Sequence, residues 1–112
     1  MIYHIAEKDE WSAYINKGEY IPERYNEDGF IHCSDDGQIE KIANLMFKGK
    51  TGILLLKIDP TKLKAKTIYE SPKGTDEKFP HIYGTINKDA VVKISELACN
   101  KNGKFSITAQ EL

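Results

Sequence analysis

Ile53-Leu54-Leu55-Leu56-Lys57-Ile58 is the stretch on which the fold turns. Nearly continuous apolar sequence is the mark of a strand covered on both faces. A central strand with Leu55 in the core is therefore expected here. Asp59-Pro60 ends it, and Thr61-Lys62-Leu63 reads as one helical turn. Just upstream, Ile39, Ile42, Ala43 and Met46 form a stripe at i, i+3, i+4 and i+7, which predicts a helix closed by Gly49. Asp35, followed three residues later by Gln38, resembles a capping box at its start. Further upstream, residues 2–6 read as a first strand. Asp9 is a candidate N-cap for a helix with Trp11, Tyr14 and Ile15 on its apolar face and Gly18 at its end. Residues 19–28 contain Pro22 and many charges and read as a connecting loop, with a short strand at Tyr20-Ile21. Downstream of the apolar stretch, strands are expected at 65–70, from Phe79 and at 90–97. Asn102-Gly103 signals a hairpin turn that returns the chain through Phe105 and Ile107. The order is strand, helix, strand, helix, then four or five strands. That predicts an α+β domain over residues 1–112, with two early helices packed on a mostly antiparallel sheet.

The composition supports one globular domain. A chain of 112 residues can bury about two-thirds of its unfolded surface. Charged residues make up 29% and the formal net charge is −1, which argues against disorder and against general nucleic-acid binding. The charge is uneven: residues 1–56 carry ten acids and six bases, whereas 57–104 carry six acids and ten lysines. That lean suits an anionic ligand near the second half, and solvated lysines on loops explain it equally well. Cys33 and Cys99 form no CxxC motif, and Cys33 reads as a buried free thiol. There is no signal-peptide hydrophobic region and no 18-residue apolar span, so no membrane partner and a cytoplasmic location are expected.

All three histidines stand in short apolar or aromatic segments: Tyr3-His4-Ile5, Phe30-Ile31-His32-Cys33-Ser34 and Phe79-Pro80-His81-Ile82-Tyr83-Gly84. A buried imidazole needs partners for its ring nitrogens. Three in such settings point to one polar site walled by strands; the alternative is that each is a structural histidine satisfied in its own segment. In a regular strand Phe30, His32 and Ser34 share one face, with Ile31 and Cys33 on the other. His81 and Tyr83 likewise share a face. Ser34 reads as a helix cap or a ligand hydrogen-bonder rather than a nucleophile. The junction from Ser34 to Gln38 offers converging N–H groups to an anion. Glu70 ends a strand beside the Ser71–Lys78 loop, where it can orient a ligand hydroxyl. Three histidines could also hold zinc, but the HxH and HxxxH spacings are missing, and no metal site is assigned.

Tyr3-His4-Ile5, Trp11, Gly29-Phe30-Ile31-His32-Cys33-Ser34, Gln38, Ile58-Asp59, Glu70 and Phe79-Pro80-His81-Ile82-Tyr83-Gly84 together resemble the domain-of-unknown-function 952 family, over roughly residues 2–95. Glu23-Arg24-Tyr25 departs from the Ser-Leu pair usual there. The resemblance implies a compact ADP-ribosyltransferase-like fold. In that superfamily a first-strand histidine holds the ribose of NAD, and His4 is similarly placed. His32, followed by a helix, is similar to the residue that packs on nicotinamide. His81 or Tyr83 falls near the place of the transferase glutamate, and Glu70 precedes it. The implied function is binding or processing of NAD, ADP-ribose or a phosphorylated nucleotide in a histidine-lined cleft, with NAD a substrate rather than a fixed cofactor. His4, His32, Glu70 and His81 are the candidate catalytic groups; Tyr3, Phe30, Ser34, Gln38 and Tyr83 are the candidate ligand contacts. His4 and His32 are expected in one cleft with His81 on its wall. The alternative is a noncatalytic module for a small ligand or a peptide.

Overall fold

β4 (Ile53–Ile58) lies between β1 (Ile2–Glu7) and β8 (Val91–Leu97) in an antiparallel sheet, as its apolar run requires. The computed structural model describes residues 1–14, 16–72 and 74–112. Side chains alternate along β4 into two cores. Leu54, Leu56 and Ile58 join Ile2, Ala6, Trp11, Tyr20 and Ile31 on one side. Ile53 and Leu55 join Tyr3, Ile5, Ile39, Ala43 and Phe105 on the other.

A second three-stranded sheet runs β3 (Ile31–His32), β6 (Phe79–Tyr83), β5 (Lys66–Glu70), again antiparallel. Ile31 and Ile82 press its inner face into the first core. The two sheets meet where Tyr3 and Ser34 exchange backbone hydrogen bonds, both at 2.8 Å. A small pair, β2 (Glu19–Tyr20) with β7 (Ile86–Asn87), completes the strands of the described residues. Helix α1 (Lys8–Tyr14) buries Trp11 in the first core, and α3 (Ile39–Met46) buries Ile39 and Ala43 in the second.

The α+β class and the antiparallel pairing agree with the sequence, but several details differ. A third helix, α2 (Tyr25–Asp28), stands inside the expected loop 19–28. α1 begins at Lys8, so Asp9 lies in its first turn rather than at its cap; Ile15 falls outside the described residues. In α3, Met46 is exposed, because the helix ends there and Phe47 takes the packing position against the second core. Asn102-Gly103 makes its turn, with Gly103 N–H donating to the Asn100 carbonyl, but no strand returns. Asn44 instead accepts from Phe105 N–H at 2.7 Å, and Glu40 from Ile107 N–H at 2.7 Å. Side chains of α3 satisfy the backbone that a hairpin ladder would have used.

Candidate functional site

Gly29 sets the geometry of the site. It caps α2 with φ 78°, a left-handed conformation that suits glycine, and its N–H donates to the Tyr25 carbonyl at 2.7 Å. The chain then enters β3 with Phe30 and His32 on the outer face and Ile31 in the core. His32 stands directly opposite His81 in the β3–β6 register, and Ile31 opposite Ile82. Alternation therefore puts both imidazoles on the outer face of the second sheet. Across β6, Lys66 opposes Tyr83, Ile68 opposes His81 and Glu70 opposes Phe79.

Glu70 is the centre of a hydrogen-bond network on that face. Its Oε1 accepts from His81 Nδ1 at 2.8 Å and from the Tyr83 hydroxyl at 2.5 Å. These donors, Tyr83 foremost, hold the Glu70 carboxyl below its ordinary range, and the same bond raises the Tyr83 phenol. A carboxylate only accepts, so the neutral His81 ring carries its proton on Nδ1 and leaves Nε2 as a base. Phe30 stacks on His81 with ring centres 3.9 Å apart and planes 17° from parallel. His32 projects into solvent, its Nε2 at 3.0 Å from Asp28 Oδ2. Arg24 approaches the other Asp28 oxygen at 3.6 Å.

The expected three-histidine cleft is corrected by this geometry. His4 shares the inward face of β1 with Ile2 and Ala6, and only 7% of it is exposed. Its Nδ1 donates to the His32 main-chain carbonyl at 2.6 Å, and its Nε2 is buried with no partner. Burial pulls its pKa down to about 4, so the ring is neutral. His4 thus lies beneath the site rather than in it.

Ser34 also leaves the expected face. The ladder stops at His32, Cys33 N–H donates to the Pro80 carbonyl, and Ser34 swings to Tyr3 and is buried. Tyr3 is buried on the second-core side, its hydroxyl donating to the Leu112 carbonyl at 2.9 Å. Gln38 is occupied at both ends: Oε1 accepts from Asp35 N–H at 2.9 Å, and Nε2 donates to the Lys78 carbonyl at 2.7 Å. The expected capping box is corrected here: α3 begins at Ile39 with Gln38 itself at the N-cap, so this bond closes the turn before the helix and Gln38 ties that turn to the segment before β6.

The structure therefore brings Phe30, His32, Glu70, His81 and Tyr83 together and places His4, Tyr3, Ser34 and Gln38 elsewhere. Sequence reasoning missed Asp28. Its signal was a carboxylate four residues before His32 across a glycine. Two cavities, of about 320 and 340 Å³, lie away from this face, one lined by Glu10, Tyr14, Pro22 and Glu23, the other by Glu7, Asp9 and Gly52. Among the described residues no three His, Cys, Asp or Glu side chains are grouped to hold a metal ion, and no helix is long and apolar enough to cross a membrane.

Fold and face define a small α+β protein that carries carboxylate-held imidazoles on an open antiparallel sheet. Residues 5–94 match the family described as "Protein of unknown function (DUF952)", and the chain belongs to it. The fold is similar to the X-ray crystal structure of protein CC0527 from Caulobacter crescentus, with a TM-score of 0.85 at 27% identity over 95% of this chain and 93% of that one. The solution NMR structure of CC0527 gives a TM-score of 0.75 at 29% identity over 91% and 88% of the two chains. No curated protein matches the chain.

Proposed function

We propose that this protein binds a phosphorylated nucleotide, the class that includes NAD and ADP-ribose, on the outer face of β3, β6 and β5, and that the Glu70–His81–Tyr83 network supplies acid–base chemistry there. The observation that carries the reading is the single Glu70 oxygen accepting from both His81 and Tyr83. A carboxylate on Nδ1 fixes the tautomer and orientation of an imidazole and leaves Nε2 to take a proton. Phe30 and Tyr83 offer aromatic surface to a base. Lys66, register partner of Tyr83, and His32 offer positive charge or N–H donors to a phosphate. The ADP-ribosyltransferase-like fold implied by the family resemblance belongs to the same reading. Glu70 spends one oxygen on two donors, which suits it to orienting His81 better than to facing an oxocarbenium ion.

The test is calorimetry of the purified chain with NAD, ADP-ribose and nucleoside phosphates. Binding is expected, and His81→Ala should weaken it about tenfold, the effect of losing about 1.4 kcal/mol. The absence of heat with every nucleotide at millimolar concentration would remove the proposal. One observation favours a second reading, a noncatalytic module: His32 and Tyr83 stand exposed on the sheet face, and the two cavities described above lie away from it. Saturable binding that leaves the ligand unchanged after prolonged incubation would select it.

A further inference from the structure

The outer face holds two imidazoles, not one, and they are arranged alike. His32 and His81 are direct cross-strand partners with ring centres 5.5 Å apart. Each is held by a carboxylate through one nitrogen only: His81 through Nδ1 on Glu70, His32 through Nε2 on Asp28. Among the described residues, neither His81 Nε2 nor His32 Nδ1 has a hydrogen-bond partner, and neither is an orphaned buried atom. Two oriented rings, each with one nitrogen to spare, are the parts needed to take a proton from one oxygen and give one to another.

We infer that His81 and His32 form a general base and general acid pair, and that the substrate is a ribonucleoside 2′,3′-cyclic phosphate opened by water. The inference rests on the reading of this face as a nucleotide site and names its substrate class. His32 is assigned the acid's role. Its side chain is 59% exposed to water, and Asp28, which Arg24 approaches at 3.6 Å through its other oxygen, lies 3.0 Å from Nε2, a setting that can solvate and balance an imidazolium. His81, only 8% exposed and stacked on Phe30, is the base. The water oxygen bonds to phosphorus as its proton passes to His81 Nε2. The P–O2′ bond breaks, and O2′ takes the Nδ1 proton of His32. The product is a 3′-phosphomonoester, no oxidant or reductant is needed, and solvent returns both rings to their starting states. Such a substrate is small and singly charged. That matches an open face on a chain of net charge −1 better than a long polyanion would.

The test incubates the full chain with adenosine 2′,3′-cyclic phosphate and follows phosphorus NMR for the monoester. Binding is measured separately by calorimetry with adenosine 3′-monophosphate. Hydrolysis with a bell-shaped pH–rate profile is expected. His32→Ala and His81→Ala should each lower the rate about 100-fold or more. Asp28→Asn should lower it less and move the acid's limb of the profile. His32 is exposed, so His32→Ala keeps the test valid if His81→Ala fails to fold. Binding of the monoester without hydrolysis of the cyclic ester, or full activity in His32→Ala, would overturn this inference and leave the nucleotide site standing. Absence of both binding and hydrolysis would overturn the two together.

Discussion

His4 donates a hydrogen bond from the core to the main-chain carbonyl of His32, 2.6 Å away, so the imidazole buried under the second sheet fixes the backbone that presents the exposed one. The bond also ties β1 to β3 just where the two sheets meet at Tyr3 and Ser34. The other nitrogen of His4 is buried without a partner, a cost the core carries only while the ring stays neutral.

Stability should therefore fall with pH in a defined window. The folded chain holds His4 neutral down to a pKa of about 4, while the unfolded chain protonates it near the ordinary value of 6.5. Between these values the unfolded state binds more protons. Stability contributed by the neutral ring is full above about pH 6.5 and declines toward pH 4, by about 3 kcal/mol in all. Urea unfolding of the natural chain and of His4→Gln at pH 7 and pH 4.5 checks this. The difference between the two proteins should change with pH; a constant difference would mean that the ring is not held neutral by burial.

Leu55→Ala should cost about 2–5 kcal/mol, the range for a leucine removed from a packed core. Leu55 is 1% exposed and packs with Ile5, Ile39 and Phe105 in the second core. Denaturant unfolding measures the change. A loss below about 1 kcal/mol would show that the sheet repacks around the vacancy.

The elements that were legible in the sequence are those whose burial pattern is local. Ile53–Ile58 had to be a covered strand, and Ile39 and Ala43 had to face a core, because the residues themselves carry the periodicity. The period of two puts His81 and Tyr83 on one face, as found, but nothing local shows that Glu70 reaches both across the β5–β6 pair. What failed depends on where strands stop. Alternation groups Ser34 with His32 only while the strand continues, and the ladder passes to Tyr3 after two residues. His4 has no local signal of which side of the sheet it faces, since both sides of β1 are buried. Phe105 reads as a hairpin strand until Asn44, 61 residues away, takes its backbone hydrogen bonds.

Asn44→Ala should release the C-terminal segment. The Asn44 side chain accepts from Phe105 N–H at 2.7 Å and donates to the Phe105 carbonyl at 3.0 Å. Truncation leaves two main-chain groups beside a buried phenylalanine without their partners, at a cost of about 1–3 kcal/mol. Amide hydrogen exchange should accelerate at Phe105 while that of Leu55 and Leu56 changes only in step with global stability. Unchanged protection at Phe105 would mean that packing of its ring alone holds the segment.

Glu70→Gln should change the chemistry of the outer face more than the fold. Glu70 lies at the end of β5, so its main chain stays in the ladder when the carboxylate is neutralised. Its hydrogen bond from Tyr83 is what raises that phenol, and a neutral amide accepts more weakly and repels the phenolate less. The Tyr83 phenol should drop back toward the ordinary value near 10. Tyr69, which donates to Asp35 rather than Glu70 and is pushed up to about 12 chiefly by burial, should not move. Tyrosine-labelled NMR across an alkaline titration separates the two. Acid behaviour should change as well. The native carboxylate sits below its ordinary range, so its stabilising contribution is present above that range and is lost as pH falls through the lowered value. In Glu70→Gln that acid transition should weaken. Loss of the carboxylate also frees the His81 tautomer, so turnover should fall far more than nucleotide affinity. Equal loss of both would mean that Glu70 contacts the ligand itself, and a Tyr83 phenol that stays raised would mean that the Glu70–Tyr83 bond does not form in solution.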